Sequence, residues 1–177
     1  RVIQESGPGD GNYFVLTRND AKELFAANGD EAVWQFVEKT RVSPQHREAE
    51  LVLDCGTAWD PIHRILTDGT LSHDAGEFPS DHCVLGGRQM HQGADFDVIM
   101  VRPDVVSLVA LNLQIMRSGE FIEKFMALDP DQYGQTPTET SGDSIWSMFK
   151  LIRQLFEAAS DEHAAVLFAV QRTGTAP

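Results

Sequence analysis

Apolar residues along this chain fall in short runs and helical stripes rather than in one long block. Tyr13-Phe14-Val15-Leu16 reads as a strand, and Thr17 or Asn19 then offers an N-cap for a helix over Ala21 to Ala27. Asn28-Gly29-Asp30 interrupts it, and Val33, Trp34 and Val37 share one face of a second helix from Glu31 to about Thr40. The polar stretch 43–50 reads as a loop or a helical turn, ahead of the compact apolar run Leu51-Val52-Leu53-Asp54. Pro61 is compatible only with a helix's first turn. The helix that carries Trp59, Ile62 and Leu66 therefore starts at Thr57 or Asp60 and ends at Thr67-Asp68-Gly69.

In the second half, a polar loop over 70–81 precedes His82-Cys83-Val84-Leu85, which reads as a buried strand closed by Gly86-Gly87. A loop over 88–95 leads to the strand Phe96 to Val101, and Pro103 opens a helix to Arg117. That helix is apolar almost all round, so it is expected to be buried. Phe121, Ile122, Phe125 and Met126 mark a short amphipathic helix, and Asp129 to Asp143 reads as a long loop. Ile145, Met148, Phe149, Ile152, Leu155 and Phe156 then repeat at helical spacing behind an Asp143 or Ser144 cap, and Ala164 to Val170 closes the chain as a strand. The pattern predicts one α+β domain over residues 12–171, with a small mixed sheet packed against several helices. An N-terminal arm (1–11) and a tail (172–177) flank it.

Composition narrows the function. At 177 residues, 42% hydrophobic and 23% charged, the chain fits a single core without staples. Fourteen basic against 27 acidic residues give a formal net charge of −13. Such a charge repels polyanions, so nucleic acid and anionic membranes are not expected partners, whereas a basic protein is. Cys55 and Cys83 form no C-x-x-C pair and no disulfide framework. No apolar stretch approaches the roughly 20 residues of a membrane span. The N-terminus lacks the shape of a signal peptide, and a cytoplasmic location is expected.

Candidate chemistry centres on the Trp59 helix. Asp60 and His63 stand three residues apart, at neighbouring positions of one helix, where a carboxylate can orient an imidazole for general-base work. The structural alternative is an Asp60 helix cap and a hydrogen-bonded core histidine. Arg88 follows Gly86-Gly87, where backbone amides and a guanidinium would hold an anion, although a tight turn is the commoner use of such glycines. With Trp59 it makes the candidate ligand-binding pair. Cys55, His63, His73, Asp74, His82, Cys83 and His91 are metal-like in kind, but no C-x₂-C or H-x₃-H pair occurs among them. Neither a metal nor a cofactor is expected.

The segment Leu53-Asp54, followed by Thr57-Ala58-Trp59-Asp60-Pro61-Ile62-His63-Arg64-Ile65-Leu66-Thr67, resembles the L-D-x-x-W-x-x-I-H-x-L-L-T segment of the YfbM-like bacterial family, domain of unknown function 1877. Leu85-Gly86-Gly87, the run Val101-Arg102-Pro103-Asp104-Val105, the long final helix and the closing strand fit the same resemblance, which covers roughly residues 12–171. It implies an α+β domain in a bacterial cytoplasm and brings no activity, cofactor or catalytic residue with it. The charge and the lack of a catalytic motif favour a binding protein, one form of which is an immunity-type protein that neutralises a basic toxin domain. The alternative is a small hydrolase built on Asp60 and His63, with Arg88 holding an anion.

Overall fold

The computed structural model describes residues 8–172. The first and last segments of the regular structure meet at its centre. Strand β1 (Gly11–Leu16) pairs antiparallel with β5 (Ala165–Gln171), Gly11 opposite Val170 and Leu16 opposite Ala165. Outside β1 lies β2 (Val52–Gly56); outside β5 lie β4 (Phe96–Val101) and then the two-residue β3 (Arg88–Gln89). The sheet runs β2-β1-β5-β4-β3, and every pairing in it is antiparallel rather than mixed.

Alternation along the strands divides the interior into two cores. Tyr13, Val15, Ile99, Val101, Val166, Phe168 and Val170 face one side, under α4 (Trp59–Leu66), α5 (Pro103–Leu113), α6 (Ser118–Met126) and α8 (Glu139–Asp161). Phe14, Leu16, Val98, Met100, Ala165, Leu167 and Ala169 face the other, under α1 (Arg18–Ala26) and α2 (Asp30–Arg41). Central strands covered on both faces read as unbroken apolar runs, which is why 165–170 is so conspicuous in the sequence. Thr17, not Asn19, caps α1: its hydroxyl accepts from the Asp20 N–H while the Asp20 carboxylate accepts from the Thr17 N–H.

Four further expectations change. His82 to Leu85 is not a strand: Ser80–Cys83 form a 3₁₀ turn, and the Cys83 carbonyl accepts from the Tyr13 hydroxyl (2.8 Å) instead of a ladder partner. Cys83, Val84 and Leu85 are apolar because α4 and α5 enclose them, and three apolar residues cannot distinguish a strand from a buried turn. The 129–143 segment is not one loop. It contains α7 (Pro130–Tyr133) and the first turns of α8, which Thr138 caps through a reciprocal box with Ser141, displacing Asp143 and Ser144 from that role. Helix α5 ends at Leu113 and is buried on one side only; Leu108, Leu111 and, in the following turn, Ile115 are exposed. Finally, the expected arm 1–11 lies partly outside the described residues, and its last residues are tied down. The Gly9 carbonyl accepts from the Trp59 indole at 2.7 Å, and Gly11 opens β1.

Candidate functional site

Seven of the eight residues of α4 are buried, Trp59 through Ile65, so its polar side chains must find partners inside the protein. Asp60 accepts from Arg64 Nε at 2.8 Å, one helical turn on. Arg64 also donates to the Gly69 carbonyl (3.1 Å) and lies over the Tyr133 ring, 6.0 Å from its centroid. Burial pushes the Asp60 carboxyl above its ordinary range, with the hydrogen bond and charge of Arg64 and the charge of Arg172 pulling only partly against it. His63 Nε2 donates to the Ser72 carbonyl at 2.9 Å, so the opposite nitrogen carries the lone pair. Burial holds the His63 imidazole below its usual value.

The structure therefore does not bring the sequence-derived site together. Asp60 is paired with Arg64, and His63, only 1% exposed, is bonded to a backbone carbonyl. Trp59 packs on Phe168, 5.7 Å between ring centroids, and carries the Arg172 guanidinium 5.7 Å from its ring. Arg88 sits on the outer strand with its guanidinium 5.5 Å from the Phe25 ring, on α1, across the sheet from α4. The buried thiols of Cys55 and Cys83 are both pushed up to about 12 by desolvation, so neither offers a thiolate at neutral pH.

A cluster that sequence spacing missed lies at the other end of β4. Asp97, second residue of that strand and opposite Val170, points into the sheet face shared by Ile99 and Val101. Its Oδ1 accepts from His73 Nε2 at 2.8 Å and faces His91 Nε2 at 3.3 Å. Its Oδ2 accepts from Arg172 Nε, where the chain leaves β5. Burial alone would raise the Asp97 carboxyl, but the hydrogen bond from His73 and the charge and hydrogen bond of Arg172 more than offset it, leaving it below the usual range. His91 Nδ1 donates to the Gly93 carbonyl (2.9 Å). That turn is fixed in turn by Asp30 of α2, whose carboxylate accepts the Gln92 and Gly93 N–H groups at 2.8 and 2.7 Å. These two backbone bonds hold Asp30 below the ordinary carboxylate range. Two imidazoles and one carboxylate form a donor set that suits zinc or a similar divalent ion. His73 and His91 stand among the metal-like residues of the sequence without any ligand spacing to join them, and Asp97 shows there only as an aspartate inside the apolar run Phe96 to Val101.

His46 is structural as well. His46 Nε2 lies 3.0 Å from both Asp20 oxygens and its Nδ1 lies 2.7 Å from Ser43 Oγ, a Ser–His–Asp chain in outline. Both ends are committed, since Ser43 caps α3 (Pro44–Glu48) and Asp20 completes the α1 capping box. The chain ties one helix to the other. At the surface, Leu108, Leu111 and Ile115 recur at intervals of three and four, forming one apolar stripe along α5 and its exit.

Among the described residues, no single helix is long and apolar enough to cross a membrane. No curated protein matches the chain. Its fold is similar to the crystal structure of YfbM from Escherichia coli, a protein of unknown function, with a TM-score of 0.61 at 16% identity, covering 91% of this chain and 99% of that one. Residues 10–169 match the family described as domain of unknown function DUF1877. Over nearly its whole folded length, then, this chain belongs to the DUF1877 family.

Proposed function

We propose that the protein is a bacterial cytoplasmic interaction protein whose α5 face docks a basic protein partner. The observation that carries this reading is the exposed stripe of Leu108 (46%), Leu111 (66%) and Ile115 (72%), a row of large apolar side chains on an otherwise amphipathic helix. Apolar rows of this kind on a soluble domain mark contact surfaces. The formal charge of −13 selects the occupant: a second copy of this chain is repelled, while a cationic partner is drawn in. An immunity-type pairing with a basic toxin domain has this chemistry. The bacterial setting is supported by the Escherichia coli neighbour, and two free buried cysteines suit a reducing compartment. The hydrolase alternative loses its support, because Asp60 and His63 are each satisfied by other groups.

The test is affinity capture from the native proteome with the wild-type chain and with the pair Leu111→Gln and Ile115→Gln, followed by reconstitution from purified components. The reading expects a stoichiometric partner of high isoelectric point, bound more weakly as salt rises and lost in the variant. A wild-type chain that recovers no such partner, or a variant that binds it equally well, contradicts the reading.

A further inference from the structure

From the geometry we infer that His73, His91 and Asp97 form a binding site for a divalent transition metal of the zinc type. A carbonyl oxygen only accepts, so the 2.9 Å contact from His91 Nδ1 to the Gly93 carbonyl places the imidazole proton on Nδ1. His91 Nε2 then carries a lone pair, and it faces another acceptor, Asp97 Oδ1, at 3.3 Å. That nitrogen is buried and has no hydrogen-bond partner among the described residues; the His91 side chain is 6% exposed and that of Asp97 4%. Two lone pairs directed at one another inside a protein repel unless a proton or a cation lies between them. His73 Nε2 stands 2.8 Å from the same oxygen; it donates there when no ion is bound and offers its lone pair to an ion in the tautomer protonated on Nδ1, and the three ligand atoms lie within 4.8 Å of one another.

The spacing fits a metal. Ligands about 2.0–2.1 Å from zinc stand roughly 3.3 Å apart at the corners of a tetrahedron. Two of the three separations here are 2.8 and 3.3 Å, so slight opening of the cluster admits an ion. The surroundings are those of a metal site as well. A ligating histidine usually donates its other N–H to a carbonyl or carboxylate, as His91 does to Gly93, and a ligating carboxylate is itself hydrogen-bonded, as Asp97 is by Arg172. Arg172 occupies Oδ2, which leaves Oδ1 as the oxygen for the ion. With three protein ligands the fourth position of a tetrahedral ion belongs to solvent, and the His73 side chain, 26% exposed, provides the way in. The competing occupant of the gap is a proton, which would make His91 an imidazolium paired with Asp97.

The experiment uses the purified full chain, stripped with a chelator and titrated with Zn²⁺ and with Co²⁺ at pH 7.5. The inference expects one ion per chain, visible Co²⁺ d–d absorption of tetrahedral intensity, and loss of both in His91→Gln and in His73→Ala. His46→Ala and His163→Ala should bind as the wild type does. Arg172→Ala should weaken binding by on the order of 10- to 100-fold. Because a variant of this buried cluster can lose its fold, the imidazole ¹⁵N resonances of the wild type supply an independent reading. Zinc should shift His91 Nε2 and His73 Nε2 together. Sub-stoichiometric binding, binding that survives both histidine substitutions, or a His91 doubly protonated at pH 7.5 and unmoved by zinc overturns the inference.

Discussion

Asp60 Oδ1 accepts from Arg64 Nε at 2.8 Å, and both side chains are more than nine-tenths buried. This bond turns the aspartate one helical turn along α4 to Arg64, so that the imidazole of His63, three residues on, answers to Ser72 instead. Cutting a buried pair from one side strands the other charge, which costs about 3–5 kcal/mol. Asp60→Ala should lower stability by that amount in urea denaturation, whereas Asp60→Leu combined with Arg64→Met should recover most of it. Equal losses in the single and double variants would mean that the pair is not the source of the effect.

The depressed His63 value carries a pH signature. Below about 6.5, its ordinary value, the unfolded chain takes up a proton that the folded chain resists, burial being the main cause. Stability from this group is therefore complete above pH 6.5 and is lost as the pH falls from there through the folded value, by at most about 1.4 kcal/mol per pH unit. In His63→Gln, whose amide N–H is able to reach the Ser72 carbonyl, stability between pH 7 and pH 5 should fall less steeply than in the wild type. An unchanged slope would assign the acid sensitivity to other groups.

Helix α8 ends without a glycine. His163 takes the left-handed conformation (φ 51°) while the Ala164 N–H closes back on the Ala159 carbonyl at 2.9 Å. A side chain there costs roughly 1–2 kcal/mol, partly returned by the lower entropy of a non-glycine unfolded chain. His163→Gly should stabilise the domain by about 0.5–1 kcal/mol, seen as a rise in Tm of a few degrees. A fall in Tm would show that the imidazole makes a compensating contribution.

Gly11 gives the opposite case. A Cβ there would stand 2.8 Å from the Phe168 ring, 2.9 Å from the Trp59 indole and 3.0 Å from Cys55 Sγ. These atoms sit in a packed core, and Gly11→Ala should cost about 1–3 kcal/mol through overpacking. Retention of wild-type stability would mean that the Trp59 side of the core yields more easily than its burial suggests.

These elements also show what the sequence made legible. The central strands and the amphipathic helices were readable because burial on one face or on both writes a period into the chain. The start of α8 was not, since its first turns are polar and solvent-exposed and its cap is the distant Thr138. The 82–85 run shows a second limit: enclosure by α4 and α5 makes residues apolar whatever their backbone does. Among candidate residues, Asp60 and His63 were correctly placed on one helix, but spacing says nothing about which neighbour each will bond. The His73–His91–Asp97 cluster was invisible to motif reading because its members come from a loop, a turn and a strand: the β3–β4 hairpin folds His91 back beside Asp97, and His73 arrives from a loop 24 residues upstream. Stripe and core on α5 were merged into one all-round apolar helix, since composition records which residues are hydrophobic and not which side is covered.

Exposure separates that stripe from the core in a simple way. Substitutions of surface side chains without special contacts change stability by no more than about 0.5 kcal/mol. Leu111→Gln should be neutral in denaturation, while Val109→Ala, on the buried side of the same helix, should cost on the order of 1–3 kcal/mol. A large loss in Leu111→Gln would mean that this face is packed against the protein itself.

The most direct measurement of the proposed role is an amide hydrogen-exchange footprint of the chain with and without its captured partner, taken at low and at moderate salt. The account predicts added protection across residues 104–116, with Leu108, Leu111 and Ile115 at its centre, diminishing as salt rises. Protection confined to another face, or a footprint on α5 indifferent to salt, would contradict it.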